Sequence, residues 1–163
     1  MSVFKSQFSS ALSVIPSDNA VIPNPIEISS GTNTSTTAGE LIDSAALFVT
    51  NNVSVGDVVY NRTDGTAATV VTVTGETTIV LNANIFAATA KVYKIYQNSA
   101  QSGLPNQGCF LYIGGAGAVN VVTLAQETVT ISGLTAGSIL PLQVSKLNSA
   151  SNGTTATLIV ALW

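Results

Sequence analysis

From residue 55 onward, runs rich in Val, Thr and Ile stop every few residues at Gly, Asn or Asp. β-branched runs punctuated in this way read as short strands joined by tight turns. Only one segment offers a helical alternative: in residues 38–48, Leu41, Ile42, Ala45 and Leu47 would share a helix face. No other window of about 11 residues has a 3.6-residue apolar period with capped ends. The expected fold class is therefore all-β.

The strands fall into two sets. The first runs through 57–61 (DVVYN), 67–73 (AATVVTV), 77–81 (TTIVL) and 92–96 (VYKIY), with Thr63-Asp64-Gly65 and Thr74-Gly75-Glu76 as hairpin loops and a turn at 82–86. A meander this short suggests a small barrel, and the Val55-Gly56-Asp57 turn feeding a strand is common in SH3-like barrels. The polar stretch 97–107 (QNSAQSGLPNQ) has linker composition. The second set covers 109–113, 119–124, 128–132, 139–147 and 155–163, with turns at Gly114-Gly115-Ala116-Gly117, at 133–137 and at 148–153. Val129 and Ile131 alternate with Thr128, Thr130 and Ser132, as a half-buried strand requires. Pro141 marks an edge or a bulge in its strand. Upstream, Pro16, Pro23 and Pro25 point to an extended arm with one short strand near 19–22.

Charge is scarce. Lys+Arg is 5 and Asp+Glu is 8, so 8% of residues are charged, against roughly 25% in an ordinary soluble domain. With mean hydropathy +0.45, a monomer would leave a wide uncharged surface in water, so much of that surface is expected to be buried against other subunits. The five cations, Lys5, Arg62, Lys91, Lys94 and Lys146, form no basic patch, which argues against nucleic acid as a partner. Apolar runs such as 45–49 and 158–163 fall far short of the roughly 18 residues that span a bilayer, so no membrane partner is expected. Residues 1–10 lack the apolar stretch of a secretory signal, and Cys109 reads as a small buried hydrophobe; both fit synthesis in a reducing cytoplasm.

The chain has no His, which excludes His-based triads and the usual zinc sites. Glu40 with Asp43, and Asp57 with Asp64, are the carboxylate pairs to consider; they read as a solvated face, a turn cap and a hairpin residue. Asp64-Gly65-Thr66 has the wrong order for an aspartic-protease motif. Gly114-Gly115-Ala116-Gly117 leads into another strand, not the helix a phosphate cradle needs, and reads as a tight β turn. The Asn-X-Ser/Thr matches at Asn33, Asn52, Asn61 and Asn152 are what a Thr/Ser-rich chain produces by chance. Tyr60, Tyr93, Tyr96 and Phe86 are expected to fill a barrel core, with a sugar-binding face as the alternative. Trp163 is expected either under the sheet or at a subunit contact. No catalytic, cofactor or metal residues are assigned.

The run Leu111-Tyr112-Ile113-Gly114-Gly115-Ala116-Gly117-Ala118-Val119, then Glu127-Thr128-Val129-Thr130, then Leu134-Thr135-Ala136-Gly137-Ser138-Ile139-Leu140-Pro141-Leu142-Gln143-Val144 and the closing GTTATLIVALW resemble small virion structural proteins of tailed bacteriophages, of the capsid cement or decoration type. The resemblance covers residues 105–163. In that family a PSD…P strand stands almost directly before the Tyr-Ile-Gly-Gly strand. Here Pro16-Ser17-Asp18 and Pro23 match it, but residues 29–97 intervene. The departure implies a β-sandwich or jelly-roll-like host domain, 16–28 plus 105–163. Inserted in it is a small SH3-like β-barrel, 29–97, itself similar to a module that recurs in phage structural proteins. A linker, 98–104, and an N-terminal arm, 1–15, complete the expected organisation. Insertion at a surface turn costs little loop-closure entropy.

The resemblance implies a non-enzymatic cement protein on the capsid exterior, a homo-oligomer, expected as a trimer, bound at junctions of the major capsid protein. In the arm, Val3, Phe4, Phe8, Leu12, Val14 and Ile15 are expected to contact capsid or neighbouring subunits, together with Trp163; such an arm repays its ordering entropy by burying apolar area on a partner. The alternatives are a neck or tail adaptor, a fibre-base protein, and a receptor- or glycan-binding module.

Overall fold

The computed structural model describes residues 8–98 and 108–163. The fold is all-β, in two antiparallel sheets. The first sheet has the order β1 (Ala11–Ser13), β12 (Thr157–Leu162), β8 (Cys109–Gly115), β11 (Ser138–Leu147), β9 (Gly117–Thr123), β10 (Thr128–Leu134). The second has the order β2 (Glu27–Thr32), β7 (Val92–Tyr96), β4 (Val58–Asn61), β5 (Thr66–Val73), β6 (Thr78–Leu81), β3 (Glu40–Ile42).

The second sheet curls until its two ends meet. Beyond β2 the chain reaches β3, where Ser35 bridges Ile42 and the Thr34 N–H donates to the Ile42 carbonyl at 2.8 Å. Inside lie Leu41, Phe48, Val59, Ala68, Val70, Ile79, Phe86, Tyr93 and Ile95. Closure leaves this sheet without a long open edge. The helical reading of 38–48 is overturned: Leu41 sits in β3 opposite Ile79, and Leu47 is exposed. Two local features turn the chain away from a helix. Gly39 adopts φ +76°, and the Asp43 carboxylate accepts the Ala45 N–H at 2.9 Å, an Asx-type turn.

The first sheet folds back on itself. β8 and β9 both border β11 without pairing to each other, so Gly114-Gly115-Ala116-Gly117 is a corner between layers and not the expected tight β turn. β11 accommodates the fold with a register shift between Leu140 and Val144, which contains Pro141. Leu111 and Ile113 of β8 thereby face Val119 and Val121 of β9 in one core, with Val144, Leu147, Ile159 and Ala161. The corner needs glycine because β8 and β9 run hard against 155–158. A Cβ on Gly114 would lie 2.6 Å from the Leu158 carbonyl oxygen, and one on Gly117 would lie 2.5 Å from the Ala156 nitrogen.

A third cluster joins the two sheets. Val58 and Tyr60 of β4, Ala67 of β5 and Tyr96 of β7 turn away from the barrel interior and pack with Leu12, Ala20, Ile15, Val21 and Trp163. Covered on both faces, β4 is buried at all four positions. The strand expected near 19–22 is absent: these residues form a loop in which the Ile22 N–H bonds the Ser145 carbonyl at 2.9 Å. The first strand among the described residues lies earlier, at Ala11–Ser13.

Candidate functional site

The most distinctive surface is the outer face of β1, β12, β8 and β11. Directly opposed residues in an antiparallel sheet point to the same side, so the register sets out this face row by row. Ala11 stands opposite Leu162, and Leu162 opposite Phe110. In the next row come Ser13, Val160, Tyr112 and Ile139. Leu158, at φ 52°, lies over Gly114 and is 78% exposed. Tyr112 and Ile139 are also exposed, and Phe8 covers Phe110 with ring centroids 5.9 Å apart. Beside Phe110 the face continues into a groove of about 570 Å³ lined by Leu124, Pro141 and Leu142 together with the polar Thr123, Gln143 and the charged Glu127.

Among the described residues no charged side chain stands in these rows, and Glu127 lines the adjoining groove. Within 97–163 the only charged residues are Glu127 and Lys146, and Lys146 is turned to the other sheet, donating to the Asp18 carbonyl at 2.6 Å. These rows offer a partner apolar surface and no ion pair. Continuous apolar runs in β8 (CFLYI) and β12 (LIVAL) were the legible signal, since a strand apolar at consecutive positions has two faces to cover.

Comparison with family descriptions, curated proteins and solved structures yields no match. The functional reading therefore rests on the residues themselves.

The structure redistributes the expected contact residues. Leu12 is buried in the cluster between the sheets, and Ile15 packs against it. Val14 is buried in the first core. Trp163 packs against both clusters. Leu12 and Val14 are thus buried within their own chain, a correction to their expected role as partner contacts, while Ile15 and Trp163 stay partly exposed; residues 11–15 are held by β12, where Ala11 pairs with Leu162 and the Val14 N–H donates to the Ile159 carbonyl. Phe8 is exposed at the margin of the apolar face, beside Phe110. Val3 and Phe4 lie outside the described residues.

The carboxylates serve structure. Asp57 is fully buried at a turn, where it accepts the N–H groups of Ser54 and Asn98, both at 2.8 Å, and burial raises its pKa. Asp64 pairs with Lys91 at 2.8 Å, and that hydrogen bond lowers its pKa. Asp43 accepts from the Tyr93 hydroxyl at 2.7 Å in the barrel core, while Glu40 stands in β3. The barrel aromatics Tyr60, Tyr93, Tyr96 and Phe86 are all buried and so present no sugar-binding face. Cys109 is buried, and desolvation pushes its thiol up to about 12, which leaves it un-ionised and a poor nucleophile. Among the described residues no group of three His, Cys, Asp or Glu side chains comes together.

One feature of the sequence gains a role that spacing did not reveal. The loop Pro16-Ser17-Asp18-Asn19 ties the two sheets: Asp18 accepts from the Ser149 N–H and hydroxyl at 2.9 and 2.6 Å, Ser17 donates to the Ala67 carbonyl at 2.9 Å, and the Asn19 carbonyl accepts from Asn82 at 2.7 Å. The partners are far off in sequence, so only the fold brings them together.

Proposed function

We propose that the protein is a non-enzymatic structural component of a tailed-phage virion, a cement or decoration protein that self-associates and seats its uncharged outer face on the major capsid protein at subunit junctions on the shell exterior. The single observation that carries this reading is the outer apolar face, whose rows among the described residues hold no charged side chain and which includes a Leu158 that is 78% exposed. Monomeric surfaces rarely keep such a face uncovered. The resemblance of 105–163 to virion proteins supplies the partner. Production in the host cytoplasm, followed by assembly onto the shell, completes the proposal.

The test is to mix purified protein with shells stripped of decoration protein, count bound copies and measure the rupture temperature. Saturation at hundreds of copies with a higher rupture temperature is expected. Ile139→Lys, which would bury an unpaired ammonium against the shell, is expected to weaken binding at least about tenfold while keeping the fold. Wild-type protein that ignores shells overturns the reading, and a few copies confined to the neck would place it in the tail.

A further inference from the structure

The open edge of the first sheet is β10, and its geometry specifies what pairs with it. We propose that β10 pairs antiparallel with β10 of a second copy across a two-fold axis at Thr130, so that one sheet runs through the dimer. This deepens the virion reading, on whose self-association it rests, and it puts a two-fold contact in place of a trimer.

The free hydrogen-bonding groups can be assigned one by one. In the β9–β10 hairpin the Thr123 N–H donates to the Glu127 carbonyl at 2.9 Å, and the register then runs Thr128 with Val122, Val129 with Val121, Thr130 with Asn120 and Ile131 with Val119. Antiparallel ladders alternate bonded and non-bonded pairs. Val129 and Ile131 thus spend their backbone groups on β9, while those of Thr128 and Thr130 point out of the sheet, and Ser132 follows at the start of the register shift. The run ends at Gly133, at φ +74°, where the register shifts.

A second β10 laid antiparallel about Thr130 satisfies every one of these groups. Thr130 meets Thr130 of the second copy as a reciprocally bonded pair, and Thr128 meets Ser132 on either side. Between them Val129 meets Ile131 as a non-bonded pair, where side chains approach closely. Hydroxyls thus meet hydroxyls on one face, and β-branched apolar groups meet on the other.

The core itself points across this edge. Val129 and Ile131 lie on the core side, opposite the fully buried Val121 and Val119, yet Val129 is 40% exposed and Ile131 only partly covered. A paired strand would extend the core over them. Of the usual guards of an open edge, Lys, Pro and an inward charge are missing, since no charged residue occurs from Thr128 to Ser145, and the one irregularity, the register shift after Ile131, lies at the strand's far end. The other edge strand of the sheet, Ala11–Ser13, offers three residues and is too short to compete. A strand added edge to edge to its own symmetry mate forms a closed, self-complementary contact.

The experiment measures mass by light scattering across the micromolar range, with far-UV circular dichroism as the check on folding. Wild type is expected as a dimer or an even multiple of it. Thr130→Lys, which sets two ammonium groups opposite each other on the axis, is expected to give a folded monomer, whereas Thr130→Val keeps the dimer. Thr130→Cys is expected to cross-link when diamide removes the two thiol hydrogens, since the bonded pair places Cα atoms about 5.5 Å apart, within disulfide reach. The buried Cys109 does not compete. A wild-type monomer, a trimer, or an oligomer that survives Thr130→Lys overturns the pairing. Shell binding is scored separately: a dimer that ignores shells removes the virion reading and leaves the pairing standing.

Discussion

Asp18 illustrates how much one side chain can do at a junction. Its carboxylate accepts from the Ser149 hydroxyl and N–H and from Ser151, and these bonds hold its pKa well below the usual carboxylate range. A depressed folded pKa stabilises the fold above the unfolded value near 4, and that contribution is lost as pH falls through the folded value. Asp18→Asn is therefore expected to lower stability by about 1 kcal/mol at neutral pH, the modest size reflecting partial exposure. In urea titrations at several pH values the gap between wild type and variant should narrow below pH 4; a gap independent of pH would refute the assignment. Asp57 acts with the opposite sign. Burial raises its pKa, so the carboxylate is held at a desolvation cost that grows as pH rises, offset by the two N–H groups it caps. Asp57→Asn keeps one acceptor and opposes a donor to the other N–H, with an expected loss of roughly 1–3 kcal/mol.

Among the elements, the glycine corner between β8 and β9 is the most exacting. A methyl on Gly117 would meet backbone atoms of Ala156 and Thr155, which cannot rotate away, whereas Gly75 has an open loop around it. Gly117→Ala is expected to cost about 3 kcal/mol or to abolish folding, and Gly75→Ala to stay within about 0.5 kcal/mol of wild type; equal thermal midpoints for the two would contradict the corner geometry. The same corner shows what could be read in advance. Strand positions in 57–163 were legible because side-chain alternation and turn residues are local. The Gly-Gly-Ala-Gly run was legible as a break but not as a layer switch, because its cause is the approach of 155–158 from the far end of the chain. Likewise Leu41 and Ile42 fit a helix period or a strand equally well, and only the pairing with β6 decides. The outer apolar face was half legible: consecutive apolar residues in β8 and β12 announced two covered faces without saying which one lies inside.

For the molecule as a whole, the question is whether barrel and sandwich stand or fall together. The third cluster answers through Trp163, which packs against both the first core and the seam with Tyr60 and Tyr96. Its backbone is fixed as well: the Trp163 N–H donates to the Ser10 carbonyl at 3.0 Å, tying the end of β12 to the strand that carries Leu12. Cores that share side chains unfold together when the shared contact energy is large beside the difference in their separate stabilities. Wild type is therefore expected to show one transition in urea, with the fluorescence of its one Trp coinciding with far-UV circular dichroism. Trp163→Ala removes packing from both clusters at once, with an expected cost of about 3 kcal/mol. The barrel keeps its own closed interior around Phe48, Phe86 and Tyr93, so its tyrosine signal in the near ultraviolet should then persist to higher urea than the loss of total strand signal. Trp163→Phe, which refills most of the space, should restore a single transition. One unshifted transition in Trp163→Ala would mean that the hydrogen-bonded loop at Asp18, and not the apolar seam, couples the two sheets.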